Sequence, residues 1–465
     1  MKLLARCRYA LIIGAGVALL PSCGGNAALR GLPSAGPADR SMVHHTPIAH
    51  VVVIVQENRT FNNFFATFPG ADGTTTGKVV ADAKCHIAES KSVKLKVMGL
   101  VNQQDFNHYF QAYHTARDGG KMDGFDTIKY KDDTNACMAP YQYVRPSLVR
   151  PYWDMAKQYV LAEHMFTSQG SGGFTNHQDL ITDGTLIEPG ESMVNFPTCS
   201  GGRCHWGCDA PPNTHTSLIS TDDVLQLGKG PFPCSRDFPM KYRTIRDLLD
   251  ARGLSWKYYL PSPCCSTNGR LFDAFDVIYP VRRGPEWKTN ISSPETNIFG
   301  DIARSSLPAV SWVIPDTDNS DHPSAKVDNG PAWVASIVNA IGRSSYWDST
   351  AIVVVWDDWG GLYDNLDPPQ HPYGGLGFRV PALIVSPYAK AGYISTTEYQ
   401  FASILRYIEQ NWGLGYLGHG DRDANSLIDC FDYSQPPRAF TPIRTDHDRS
   451  YFLHRTPSGF SIDDD

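Results

Sequence analysis

The sequence predicts a doubly wound α/β fold: a mainly parallel central sheet sandwiched by helices, with a disulfide-braced insertion. Four short apolar, β-branched runs stand at residues 50–55 (HVVVIV), 309–314 (AVSWVI), 351–356 (AIVVVW) and 380–385 (VPALIV). They lack the alternation of a half-exposed strand, which marks strands buried on both faces, as in a parallel sheet covered by helices. Segments with apolar residues at helical spacing follow the second and fourth runs, at residues 332–343 (AWVASIVNAIGR) and 397–411. Strands alternating with helices define the class. A length of 465 residues with 42% hydrophobic content is enough to bury a large core, as one big domain with insertions or as two domains.

The ends of the chain read differently from its middle. Lys2, Arg6 and Arg8 precede an apolar run at residues 10–20 (ALIIGAGVALL), too short to span a bilayer comfortably, so residues 1–23 read as an export signal. Residues 20–23 (LPSC) resemble a bacterial lipobox, at which Cys23 would be lipidated, although Pro21 is not the favoured residue there. An ordinary cleaved signal with an incidental cysteine is the other reading, and both stay open. Residues 24–45, rich in Gly, Ala, Pro and Ser, read as a flexible tether, ahead of a main domain at 46–440 and a C-terminal tail at 441–465. The expected destination is the periplasm, the outer membrane as a lipoprotein, or the exterior. Peripheral membrane association would follow from the lipid anchor.

Apart from Cys7 and Cys23, the 11 cysteines are Cys85, Cys137, Cys199, Cys204, Cys208, Cys234, Cys264, Cys265 and Cys430. In an exported chain that density predicts disulfides, and the odd count leaves one thiol over. Cys199, Cys204 and Cys208 are close together, but no matching second pair closes a zinc site. The stretch from about 199 to 287 carries Cys, Pro, Gly and aromatics without strand-like runs and reads as the insertion. With 41 Lys+Arg against 48 Asp+Glu, a net charge of −7, and no Lys/Arg-rich run, a nucleic-acid partner is excluded.

Polar residues follow three of the apolar runs, where open α/β sheets place their ligands. Gln56, Glu57, Asn58 and Arg59 follow the first, Asp316, Asp318, Asp321 and His322 the second, and Asp357 and Asp358 the third. Hard oxygen ligands gathered from separate strands can hold a divalent cation, which stabilises charge on a phosphoryl group. Taken singly, each has a plainer role as a helix cap or turn residue. Their coincidence at three strand ends points to a site.

Longer strings extend this reading. Residues 56–65 (QENRTFNNFF), 120–125 (GKMDGF), 169–184 (QGSGGFTNHQDLITDG), 321–323 (DHP) and 355–364 (VWDDWGGLYD) occur in that order. They resemble the ENRSFDxYFG, GKMDGF, GPSxPN, DEHP and TYDEHGGFYD strings of the bacterial phospholipase C and acid phosphatase family of phosphoesterases. That resemblance implies an alkaline-phosphatase-like sandwich and one divalent metal ion, held by Glu57, Asn58, Asp357 and Asp358. It also implies His108 and His322 as the groups that steady phosphoryl oxygens or protonate the leaving group, a task suited to imidazole. Asn176 and Asn365 become candidate amide contacts to substrate, and Cys208 to Cys234 the preferred disulfide. The family strand after a Leu-rich helix is matched by residues 256–259 (WKYY), whose aromatics are expected in the core.

Two departures from the family stand out. The nucleophilic Ser or Thr of the GPS/GPT triplet aligns with Gly173, which cannot attack phosphorus. Ser171 is the preferred substitute; Thr175 and direct attack by water are the alternatives, and an impaired site is the last. Asn365 stands where many relatives have His, and it cannot carry a proton in catalysis. The expected activity is metal-dependent hydrolysis of a phosphate ester, in a phospholipid or a small organic phosphate, by a phospholipase C-like phosphodiesterase or an acid phosphatase. The alternative is a catalytically impaired surface lipoprotein that binds phosphate-bearing ligands.

Overall fold

The first apolar run forms β1 (His50–Gln56), buried from its second residue onward. The computed structural model describes residues 46–198, 206–261, 273–418 and 420–458. The signal, the tether and Cys199, Cys204, Cys264 and Cys265 lie outside the described residues. Of the later strands, those of the central sheet and the added layer are β2 (Val160–Ala162), β3 (Leu186–Glu188), β4 (Glu191–Thr198), β5 (His215–Ser220), β6 (Leu225–Gln226) and β7 (Trp256–Tyr259). Next come β8 (Ile291–Ser292), β9 (Val310–Val313), β10 (Thr350–Trp356), β11 (Ala382–Val385) and β12 (Tyr393–Ser395).

Eight of these make the central sheet, in the order β8-β7-β9-β1-β10-β11-β2-β12. Pairing is parallel from β8 through β10. Strand β11 runs antiparallel to both neighbours, and β2 and β12 are again parallel. The sheet is therefore mainly parallel, and every residue of β9, β10 and β11 is buried, which requires cover on both faces. The antiparallel β11 comes from the fourth apolar run, because a strand buried on both faces has the same composition in either direction.

The helices used below are α1 (Phe61–Phe65), α2 (Phe110–Arg117), α3 (Arg150–Gln158), α4 (Gly173–Asp179), α5 (Gly330–Gly342), α6 (Phe401–Trp412) and α7 (Arg449–His454). The two helices expected from periodicity are α5 and α6. The α6 helix stops where Gly413 takes a left-handed conformation and its N–H bonds the Glu409 carbonyl, as a C-terminal glycine does.

The stretch expected as an insertion is divided differently. Its Trp256–Tyr259 segment is β7, between β8 and β9 in the central sheet. Aromatic packing holds it there: Trp256 stacks on Phe275 with ring centroids 4.7 Å apart, and Tyr258 meets both Phe275 and Trp312. The added layer begins earlier, at Leu186, as the antiparallel sheet β6-β5-β4-β3. Disulfides join Cys208 to Cys234 beside that layer and Cys85 to Cys137 elsewhere, and Cys430 is a buried free thiol.

The C-terminal segment packs onto the body. Asn339 of α5 exchanges two hydrogen bonds of 2.9 Å with the backbone of Ile443. Phe452 of α7 packs edge-on against Trp333 of α5 at 5.2 Å, and Arg455 pairs with Asp316 at 2.6 Å and Asp318 at 2.9 Å. Phe452 is 2% exposed and its neighbour Leu453 is 50% exposed. Phe452→Ala is expected to cost about 3 kcal/mol in urea denaturation, and Leu453→Ala less than about 0.5 kcal/mol; equal effects would contradict this packing.

Candidate metal centre

The site starts from strand register. Parallel pairing of β1 with β10 sets Gln56 against Trp356, so the next residues, Glu57 and Asp357, leave adjacent strand ends side by side. The Asp357 N–H donates to the Gln56 carbonyl and the Glu57 N–H to the Ser320 carbonyl, which carries the ladder one step past the strands. Asn58 then turns the chain with a φ of 56°, a left-handed conformation that Asn tolerates. Thr60 caps α1 by accepting from the Asn63 N–H.

The same turn fixes Asp357. Its Oδ1 accepts from the backbone N–H groups of Asn58 at 3.0 Å and Asp358 at 2.7 Å. Its buried Oδ2 has no hydrogen-bond partner among the described residues and faces His177 Nε2 at 3.5 Å. The same Nε2 lies 3.6 Å from Glu57 Oε1. Glu57, His177 and Asp357 thus offer ligand atoms within 4.8 Å of one another, and all three side chains are 0% exposed.

Two carboxylates and an imidazole in one buried group are a donor set for a divalent cation. Burying two like charges together without compensation would be costly, and a cation among these atoms removes that cost. The lone Oδ2 of Asp357 is an atom such an ion would coordinate. The residues therefore fit the metal that the resemblance implies. His177 was not anticipated as a ligand. It reaches the group from α4, in the Gly-rich string, where a histidine among Asn and Gln carries no metal-like spacing in sequence.

Asp358 and Asn58, expected as ligands, flank the three. Asp358 Oδ1 accepts from the Gly360 N–H at 2.8 Å, and its Oδ2 lies 3.4 Å from His108 Nε2. The Asn58 amide lies 3.2 Å from the same His108 Nε2. His108 Nδ1 sits 2.7 Å from the Phe106 carbonyl, so it carries a proton, and Nε2 is the nitrogen turned to Asp358 and Asn58. Gly360 and Gly361 have φ of 57° and 73°; a Cβ there would stand 2.5 Å from the Asn58 carbonyl and 2.3 Å from Phe106 Cβ. The glycines of the DDWGG string allow this close approach.

The remaining expected residues have other partners. His322 Nδ1 accepts from the Ser324 N–H at 3.1 Å, so the neutral ring carries its proton on Nε2. Ser171 Oγ accepts from the Asn195 N–H of β4 at 2.8 Å, and Thr175 Oγ1 lies 3.5 Å from the Gly172 carbonyl. Among the described residues, neither hydroxyl is hydrogen-bonded to Glu57, His177 or Asp357. Asn176 Nδ2 donates to the Ser171 carbonyl at 2.8 Å and braces the Gly-rich loop. Asn365 Oδ1 accepts from Arg379 at 2.8 Å, in a buried cluster where Arg379 also pairs with Asp364 at 2.9 Å.

Asp321 braces the strand ends from below. Its Oδ2 accepts from Tyr152 at 2.6 Å, from Gln56 at 3.2 Å and from the Trp356 indole at 3.2 Å, and its carbonyl accepts from Arg59 Nε at 2.8 Å. Burial pushes its carboxyl up from 3.8 to about 6, against the opposing effects of the Tyr152 hydrogen bond and the Arg59 charge.

Residues 48–415 match the family described as the Phosphoesterase family, and the chain belongs to it. Phospholipase C B of Mycobacterium tuberculosis is 23% identical over 470 residues, covering 89% of this chain and 83% of that protein. The non-hemolytic phospholipase C of Pseudomonas aeruginosa is 22% identical and covers 81% of this chain and 56% of its own length. Among solved structures, a protein in the alkaline phosphatase superfamily from Vibrio parahaemolyticus aligns over 84% of this chain and 74% of its own, with 11% identity and a TM-score of 0.35.

Because the folded pKa of Asp321 is raised, its contribution to stability is full below about pH 4 and is lost as pH rises through about 6. The stability of the wild type relative to Asp321→Asn is expected to fall by up to about 3 kcal/mol over that window, read from urea denaturation at each pH. Asn keeps the acceptor and tolerates the φ of 73° at this position. Parallel stability curves would remove the buried carboxyl from this role.

Proposed function

We propose that this chain is a phosphodiesterase of the phospholipase C type, which hydrolyses the phosphate ester of a phospholipid or a small organic phosphate. The observation that carries this reading is the buried Glu57, His177 and Asp357 group at the ends of two parallel strands. The relatives named as phospholipases C support a lipid substrate. The signal read at residues 1–23 would export the protein to meet it.

A bound divalent cation would offset charge on the phosphoryl oxygens and orient the ester. Glu57, Asp357 and His177 would hold it. His108, oriented through Nδ1 by the Phe106 carbonyl, presents Nε2 beside Asp358, and in its protonated form it can pass a proton to the leaving oxygen. His322 in its Nε2–H tautomer can donate to a phosphoryl oxygen. Since the hydroxyls of Ser171 and Thr175 face backbone groups, water is favoured as the attacking group.

The same two hydroxyls, with Gly173, favour a second reading: a protein that binds phosphate esters without turnover. Turnover of p-nitrophenyl phosphorylcholine and p-nitrophenyl phosphate with added divalent metals separates the readings. The diester is expected to be the better substrate. Asp357→Ala and His177→Ala are each expected to lower kcat/KM by about a thousandfold, with Ser171→Ala within about tenfold of wild type. Preference for the monoester would make the protein an acid phosphatase. Binding without turnover in any metal would favour the second reading.

A further inference from the structure

Away from the metal centre, residues 76–98 form a segment of positive charge in a chain that is acidic as a whole. This segment holds Lys78, Lys84, Lys91, Lys94 and Lys96 against Asp82 and Glu89, a net charge of +3, so the rest of the chain carries −7 − 3 = −10. All five lysines are exposed. No ion pair from any of them to an Asp or Glu is present among the described residues.

The fold concentrates them. Strands Thr76–Val79 and Lys91–Lys94 form an antiparallel hairpin in which Thr76 faces Lys94 and Lys78 faces Ser92. Residues directly opposite, and residues two apart, share a face of a hairpin, so Lys78 and Lys94 stand on the same exposed face, on a diagonal of about 7–8 Å. On the opposite face Gly77 and Val79 are buried, while Lys91, across from Val79, is exposed at its edge. Strand Lys96–Met98 continues the surface with exposed Lys96 and with Val97, which is 51% exposed.

The hairpin is also tied to the site. The Thr74 N–H donates to Asn62 of α1 at 2.7 Å, and Gly77 packs so closely on Tyr141 and Tyr363 that a Cβ would lie 2.8 Å and 3.1 Å from their rings. Asn62 and Tyr363 lie on the segments that leave the strand ends carrying Glu57 and Asp357.

We propose that this lysine-rich hairpin is a docking surface for an anionic lipid membrane. The proposal rests on the phosphodiesterase reading for its purpose, because it would bring the centre to a phospholipid substrate. Several lysines near a negatively charged leaflet add attraction with each residue, and an exposed apolar side chain next to Lys96 suits the headgroup boundary. A soluble polyanion would be met by the charge alone and would make no use of exposed Val97.

The test sediments the full-length protein with vesicles of phosphatidylcholine alone and with phosphatidylglycerol added, at low and high salt. The added phosphatidylglycerol is expected to raise the bound fraction of wild type, and salt to reverse the gain. The triple variant Lys78→Glu, Lys94→Glu and Lys96→Glu is expected to lose that gain by at least about tenfold, and the corresponding triple Arg variant to keep it. Turnover of soluble p-nitrophenyl phosphorylcholine should be unchanged in both variants. No gain with phosphatidylglycerol, an equal gain in the Glu variant, or binding to heparin without binding to vesicles would overturn the proposal. Wild type that gains binding but turns over no substrate would fail the phosphodiesterase reading and leave the surface standing.

Discussion

Glu57, Asp357 and Asp358 stand fully buried at the ends of two adjacent parallel strands, and the architecture around them answers the cost of charge in that position. Backbone N–H groups take one oxygen of Asp357 and one of Asp358. His177 and His108 face the others from separate elements. The arrangement is costly without a cation and favourable with one, which is how a protein reserves a position for a metal ion.

That requirement reaches into the fold. Side-by-side placement of Glu57 and Asp357 depends on parallel register between β1 and β10; a slip of one residue would separate them and turn every side chain of the strand to the other face. The left-handed turn at Asn58 and the glycines at 360 and 361 let two loops approach within contact of each other. Asp321, Tyr152, Gln56 and Trp356 form the hydrogen-bonded base beneath the turn. Gly330 belongs to the same base, since a Cβ there would lie 1.9 Å from Asp321 Oδ1.

The parts legible in sequence were those set by composition or by a contiguous string. The runs that became β1, β9, β10 and β11 are apolar because both faces are covered, and Glu57 and Asp357 follow their strands directly. The direction of β11 was hidden because burial on both faces leaves no directional mark. Strand β7 was legible only through its resemblance to a family string, because it is anchored by aromatic stacking rather than by β-branched residues. His177 was illegible because its role arises only when α4 is laid against the strand ends. Ser171 and Asn365 matched expected positions in the chain, yet the Asn195 N–H and Arg379 engage them, and such long-range partners cannot be read from neighbouring residues.

The most direct test of the metal centre is pulsed electron paramagnetic resonance of the protein loaded with one equivalent of Mn²⁺. A single bound ion is expected, showing nitrogen coupling from one imidazole that disappears in His177→Gln while the ion remains bound more weakly. An ion without nitrogen coupling, or coupling unchanged by His177→Gln, would contradict the Glu57, His177 and Asp357 assignment.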